Sequence, residues 1–173
     1  KTLEAARPLR RAWESRAVRK EYWAIVHGHP DWTSLTIDAP LGDDEQSEVV
    51  IKNCVRPDGA PAQTECEVQS MWRTEAGSFA WLRVWPHTGR KHQIRIHLAH
   101  VGHPIVGDKL YGGDESLYLD FVQGLLTTEQ RARLILPNHA LHAQGLRLEC
   151  EQRVLEFSAP PEPWFREFAQ MAP

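Results

Sequence analysis

Gly89-Arg90-Lys91-His92-Gln93-Ile94-Arg95-Ile96-His97-Leu98 sets three cations, two imidazoles and an amide into one or two turns of chain. The run follows a Thr88-Gly89 turn, and its apolar residues continue at helical spacing through Ile94, Leu98 and Val101. This spacing predicts a helix beginning near Arg90, with Thr88 as its N-cap and residues 102–104 as its stop. A helix start presents unpaired backbone N–H groups and the positive end of the helix dipole. With guanidinium and ammonium groups beside it, such a start suits an anion, and phosphate is the obvious one.

Strand-like patterns surround this run. Upstream, Ala80, Leu82 and Val84 alternate with Phe79, Trp81, Arg83 and Trp85, the period of a strand. Arg83 among three aromatics reads as a cation–π partner or as the mark of a wet groove. Thr64, Cys66 and Val68 alternate with Glu65, Glu67 and Gln69, as in a half-buried antiparallel strand. Residues 48–55 read as another strand closed by a Pro57-Asp58-Gly59 turn, residues 38–47 as an acidic loop, and residues 35–37 as a short strand. At the start, residues 2–16 have helical spacing, with Pro8 as a kink or restart. Val18, Lys20, Tyr22, Ala24 and Val26 then alternate with Arg19, Glu21, Trp23, Ile25 and His27, a strand buried on both faces near its end. Downstream come helices between residues 114 and 136, the last opening on the capping-box pattern Thr127-x-x-Gln130. A hairpin over 146–150 and 154–157 and a short closing helix with Trp164, Phe165 and Phe168 complete the chain. Strands with inserted helices and no internal repeat predict one α+β domain, with a mixed, mainly antiparallel sheet and flanking helices.

Composition narrows the classes. The 173 residues are 42% apolar and 25% charged, ordinary for a globular domain with a real core. No apolar run reaches the length of a membrane span, and no signal-peptide pattern opens the chain. Cys54, Cys66 and Cys150 are odd in number and unpaired in pattern, which argues against a disulfide framework or zinc ribbon and for a reducing compartment. The net charge is −3, yet the charges are segregated. Arg7, Arg10, Arg11, Arg16, Arg19 and Lys20 face the single acid Glu14, and no acidic residue occurs between Gly77 and Gly107. Such segregation produces a basic face on an acidic protein.

Three separated blocks, in order, resemble the RluA-like family of RNA pseudouridine synthases. The first comprises Lys1-Thr2, Ala5, Leu9, Trp13, Arg16, Val18, Lys20, Tyr22, Ala24, Val26 and Gly28; the second is Gly59-Ala60-Pro61-Ala62-Gln63-Thr64-Glu65-Cys66-Glu67-Val68. The third runs from Gly89 through Gly107-Asp108-Lys109-Leu110-Tyr111-Gly112, followed by Leu141-His142-Ala143 and Phe157-Ser158-Ala159-Pro160. The resemblance implies isomerisation of specific uridines in structured RNA, ribosomal or transfer, with the base flipped out and no metal or other cofactor. It implies that Tyr22 is the active-site tyrosine, stacked on the base and placed for proton handling. Arg95 matches the active-site arginine, which pairs with an essential aspartate. Arg90, Lys91, His92, Gln93, Arg16 and Lys20 are the expected RNA contacts, with Trp32, Trp72 and Trp85 as candidate stacking platforms. The expected partner is an RNA stem-loop rather than DNA or a membrane, for a cytoplasmic, monomeric protein.

The essential aspartate of that family sits in a His-Arg-Leu-Asp segment shortly before the position of Lys1, and no such segment occurs in this sequence. Residues 1–173 are therefore expected to be the C-terminal portion of the catalytic domain, inactive alone. Asp108 is expected to be a turn residue, not the nucleophile. Two other readings compete. A non-catalytic RNA-binding module fits the basic cluster, and a metal-dependent hydrolase would use His97, His100 and His103, spaced at i, i+3 and i+6.

Overall fold

The computed structural model describes residues 2–14, 18–150 and 153–170. Its core is a six-stranded sheet in the order β2-β5-β6-β1-β7-β8, formed by Ser34–Asp38 (β2), Gln63–Thr74 (β5), Gly77–Pro86 (β6), Val18–His27 (β1), Leu141–Cys150 (β7) and Arg153–Ser158 (β8). Every ladder in it is antiparallel. The expected α+β class with a mainly antiparallel sheet is what forms. Leu41–Asp43 (β3) and Asn53–Val55 (β4) make a separate two-stranded ribbon. The helices are Leu3–Glu14 (α1), Gln93–His100 (α2), Ser116–Gln123 (α3), Thr128–Leu134 (α4) and Pro163–Phe168 (α5).

β1 lies at the centre because its alternating residues are apolar on both faces: Ala24, Ile25 and Val26 are completely buried. Tyr22 pairs with Val84, and Val84 with Cys66, so these residues share one face of the sheet. On the other face Trp23 meets Trp81 edge-on, and Phe168 of α5 packs against Phe79 and Trp72. A bulge in β7 at Gln144 shifts its register between Glu21 and Tyr22. His142 Nε2 donates to Ala159 O over 2.8 Å, which ties the Leu141-His142-Ala143 stretch to Phe157-Ser158-Ala159-Pro160.

Several elements depart from the sequence expectation. Residues 48–55 are not one strand: only 53–55 pair, after a turn closed by Lys52 N–H to Val49 O. Val49 is buried while Val50 is almost fully exposed, so the apolar run marks a turn with one anchor rather than a pleated face. Part of the acidic stretch, 41–43, is the partner strand. α1 runs through Pro8 as one element. Helix α2 starts at Gln93, three residues later than Arg90, and its N-cap is His92 in the left-handed region at φ 55°. Thr88 does not cap it; its hydroxyl accepts from Gln63 N–H and donates to Gln93 Oε1. The capping box at Thr127 and Gln130 forms as expected, with both reciprocal bonds.

Candidate active site

Helix α2 is fastened to the sheet by a closed polar network. Gln93 Nε2 donates to Thr64 Oγ1 and Gln63 O, both at 2.9 Å. Gln93 Oε1 accepts from Thr88 Oγ1 and Arg90 N–H. His97 bonds Thr64 Oγ1 through Nδ1 at 2.8 Å and Ala39 O through Nε2 at 2.9 Å. Because Ala39 O only accepts, Nε2 carries the proton; Nδ1 then accepts from the Thr64 hydroxyl. Burial pushes the His97 ring below the ordinary histidine range, consistent with this neutral tautomer. Gln93, expected to touch RNA, is thus a buried strut with every side-chain hydrogen-bonding atom engaged, and RNA contact by it is corrected. His97 is equally committed, and among the described residues no three His, Cys, Asp or Glu side chains gather as metal ligands.

Thr64 pairs with Pro86, on the same sheet face as Cys66, Val84 and Tyr22, so α2 covers the face that carries the Tyr22 ring. Lys20, two residues before Tyr22 on that face, reaches Thr88 O at 3.2 Å in the loop leading to α2. Burial pulls the Lys20 ammonium below the usual lysine range. Arg90 and Lys91 are exposed in the same loop, with Arg90 Nε on Pro61 O at 3.2 Å. The structure therefore brings Lys20, Arg90 and Lys91 to one loop. Arg16 lies outside the described residues.

Arg95 leaves α2 toward the 104–112 segment. Its Nε donates to Asp108 Oδ2 at 2.6 Å and its Nη2 to Oδ1 at 2.7 Å. Asp108 also accepts from the backbone N–H groups of Leu110 and Tyr111, and its side chain is wholly inaccessible. Burial alone would raise its carboxyl, but the Arg95 guanidinium and the two N–H groups outweigh burial and hold it below the usual range. Asp108 is therefore an ionised, fully buried carboxylate held in place by four donors. The Arg95 guanidinium lies 4.7 Å from the centre of the Tyr111 ring. Asn53 N–H donates to the Tyr111 hydroxyl, which in turn meets His92 Nδ1 at 3.0 Å. Burial, then the charges of Arg95 and Lys91, lower the His92 ring, which suits a neutral acceptor.

No hydrogen bond or ring contact joins Tyr22 to Arg95 among the described residues; they share a side of the sheet. Two concavities flank them without including either. One of about 530 Å³ is walled by Tyr111, Asn53, Lys52 and Glu115, and another of about 900 Å³ by Arg19, Glu21, Glu65, Trp85, Arg147 and Phe157. Trp85 carries the Arg83 guanidinium at 4.8 Å, and Arg83 also forms a bidentate pair with Glu21. Trp72 is packed on Phe79 and Phe168, and Trp32 meets His103 edge-on. The partners of Arg95 were visible only as a hint in sequence: Asp108 is the first acid after the acid-free stretch beginning at Gly77.

A family model described as RNA pseudouridylate synthase matches residues 1–100. The chain belongs to this family. An uncharacterized RNA pseudouridine synthase of Chloroflexus aurantiacus is 38% identical over 159 residues, covering 91% of this chain and 43% of that protein. The dual-specificity RNA pseudouridine synthase RluA of Escherichia coli is 35% identical over 147 residues, covering 85% of this chain and 58% of that protein. The chain thus spans about half the length of these relatives. Among solved structures, human RNA pseudouridylate synthase domain containing 1 superposes with a TM-score of 0.74 at 26% identity, covering 96% of this chain and 63% of that one. The pseudouridine synthase fold and the antiparallel sheet described above therefore agree.

Proposed function

We propose that the protein isomerises a uridine in structured RNA to pseudouridine, gripping the extruded nucleotide between the Tyr22 ring and the free end of the Arg95 guanidinium. The observation that carries this reading is Arg95 itself. A guanidinium held along one edge by Asp108 and on one face by Tyr111 keeps its Nη1 without a hydrogen-bond partner among the described residues. Such a fixed fork is suited to a carboxylate or phosphate. Turning the base out of its stack is required, since the reacting atoms are inaccessible within a helix. Lys20, Arg90 and Lys91 hold the RNA backbone beside the α2 loop, and His92 steadies that loop.

Asp108 is wholly inaccessible and paired with Arg95, so in this reading the reacting carboxylate comes from the His-Arg-Leu-Asp segment that the family resemblance implies. The substrate is a stem-loop of ribosomal or transfer RNA, where splayed bases make extrusion easier. The protein works as a cytoplasmic monomer, without DNA as a substrate. No helix among the described residues is long and apolar enough to cross a membrane.

Tritium release from RNA labelled at uridine C5 tests the proposal. The full gene product releases tritium, and Arg95→Lys lowers the rate by about a hundredfold with RNA still bound. Binding without release by the unaltered full gene product would identify a non-catalytic RNA-binding module instead.

A further inference from the structure

Asp108 is the buried acid that the proposed chemistry leaves unused. Its surroundings are specific. Both carboxylate oxygens receive the Nε–Nη2 edge of Arg95, and Oδ1 also receives the N–H groups of Leu110 and Tyr111. The neighbouring cation, Lys109, turns away: its Nζ donates to Pro137 O and lies over the Phe121 ring at 4.6 Å. Asp108 therefore serves one cation. Ion pairs buried to this degree are seldom kept for stability, because apolar residues of the same volume do as well. Arg95 is only partly satisfied by the pair. Nε and Nη2 are bound, Nη1 has no partner among the described residues, and the side chain keeps 15% of its accessibility. The unspent end remains open to an acceptor from outside, and the bound edge fixes its direction.

We infer that Asp108 is a positioning residue for the uridine reaction: it clamps one edge of Arg95, so that the Nη1 end is presented to the reacting nucleotide in a single orientation. Tyr111 completes the clamp from below, its ring held by Asn53 and His92. Without the clamp the arginine has several rotamers, and the orientation must be found anew in each turnover. The inference rests on the reading of Arg95 given above.

The test uses the full gene product, with tritium release for turnover and filter binding for RNA affinity. Asp108→Asn keeps the volume and removes the charge. It lowers kcat by more than about tenfold while the Kd for RNA stays within about threefold, because the clamp acts on orientation rather than on binding. In an Arg95→Lys background the same change costs less than about threefold, since a lysine has no fork to orient. A folded Asp108→Asn protein with unchanged kcat overturns the inference, and so does a loss that adds in full to that of Arg95→Lys. Full turnover by Arg95→Lys alone fells the underlying reading, and the inference with it. If Asp108→Asn does not fold, Asp108→Glu decides: the charge is kept but displaced by a methylene, so kcat falls while the Kd is held, and an unchanged kcat overturns the inference.

Discussion

Thr64 is where two of the sequence blocks physically meet. Its hydroxyl accepts from Gln93 and bonds His97, so a residue of the short strand after Gly59 and two residues of the cationic run form one hydrogen-bonded unit. Removing one partner leaves buried polar groups unsatisfied, and His97→Ala is expected to destabilise the fold by about 2–4 kcal/mol, measured by urea unfolding. The pH dependence has a definite sign. His97 is held below its ordinary pKa, so the unfolded chain binds the proton more readily. Its contribution to stability is complete above about pH 6.5 and is lost as the pH falls from there toward the folded value. Unfolding midpoints at pH 7.5 and 5.5 should differ, and His97→Gln should reduce that difference. At this scale the sequence was only partly legible. Gln93 and His97 look alike whether they face RNA or a buried threonine, because helical spacing does not say what lies opposite. The pairing of Arg95 with Asp108 was not foreseen, since a contact spanning 13 positions through an irregular segment leaves no periodic trace.

Among elements, the irregular segment from residue 104 to 112 controls the site as firmly as α2 does. It is laid against β1 by Val106 N–H to Ile25 O and His27 N–H to Pro104 O, and against the residue preceding β7 by Ala140 N–H to Val106 O. Gly107 adopts φ 78°, and a Cβ there would collide with the carbonyl oxygen of Asn138. Gly107→Ala should therefore cost about 2 kcal/mol or more and displace Asp108, so that turnover falls along with the urea midpoint. By contrast, Thr127→Ala removes the cap of α4, away from the Arg95 clamp. It should cost about 1 kcal/mol with kcat unchanged, which separates loss of stability from loss of function. Strong period-two and capping-box signals were read correctly for β1, β5, β6 and α4. The start of α2 was misplaced because a histidine takes the left-handed N-cap position that propensity assigns to other residues. The ribbon of β3 and β4 was missed because three-residue strands are too short to show alternation.

The whole molecule is acidic, yet three of its cations lie together. Lys20, Arg90 and Lys91 converge on the loop before α2, while Glu45 and Asp58 neutralise Arg56 beside the separate ribbon. RNA affinity should therefore fall steeply with salt, and the double change Arg90→Ala, Lys91→Ala should reduce the slope of log K against log salt by about 1–2. The fold class was legible because the sheet core obeys simple alternation. The role proposed for Tyr22 rests on family resemblance alone, since a strand tyrosine carries no signal of its own. The account as a whole stands on the sheet face shared by Tyr22 and α2. Its most direct test is photocrosslinking of the full gene product to RNA bearing 4-thiouridine at the target position, with the site read by mass spectrometry. The account predicts attachment on β1 at or beside Tyr22; attachment confined to the opposite face, around Arg147 and Glu156, would contradict it.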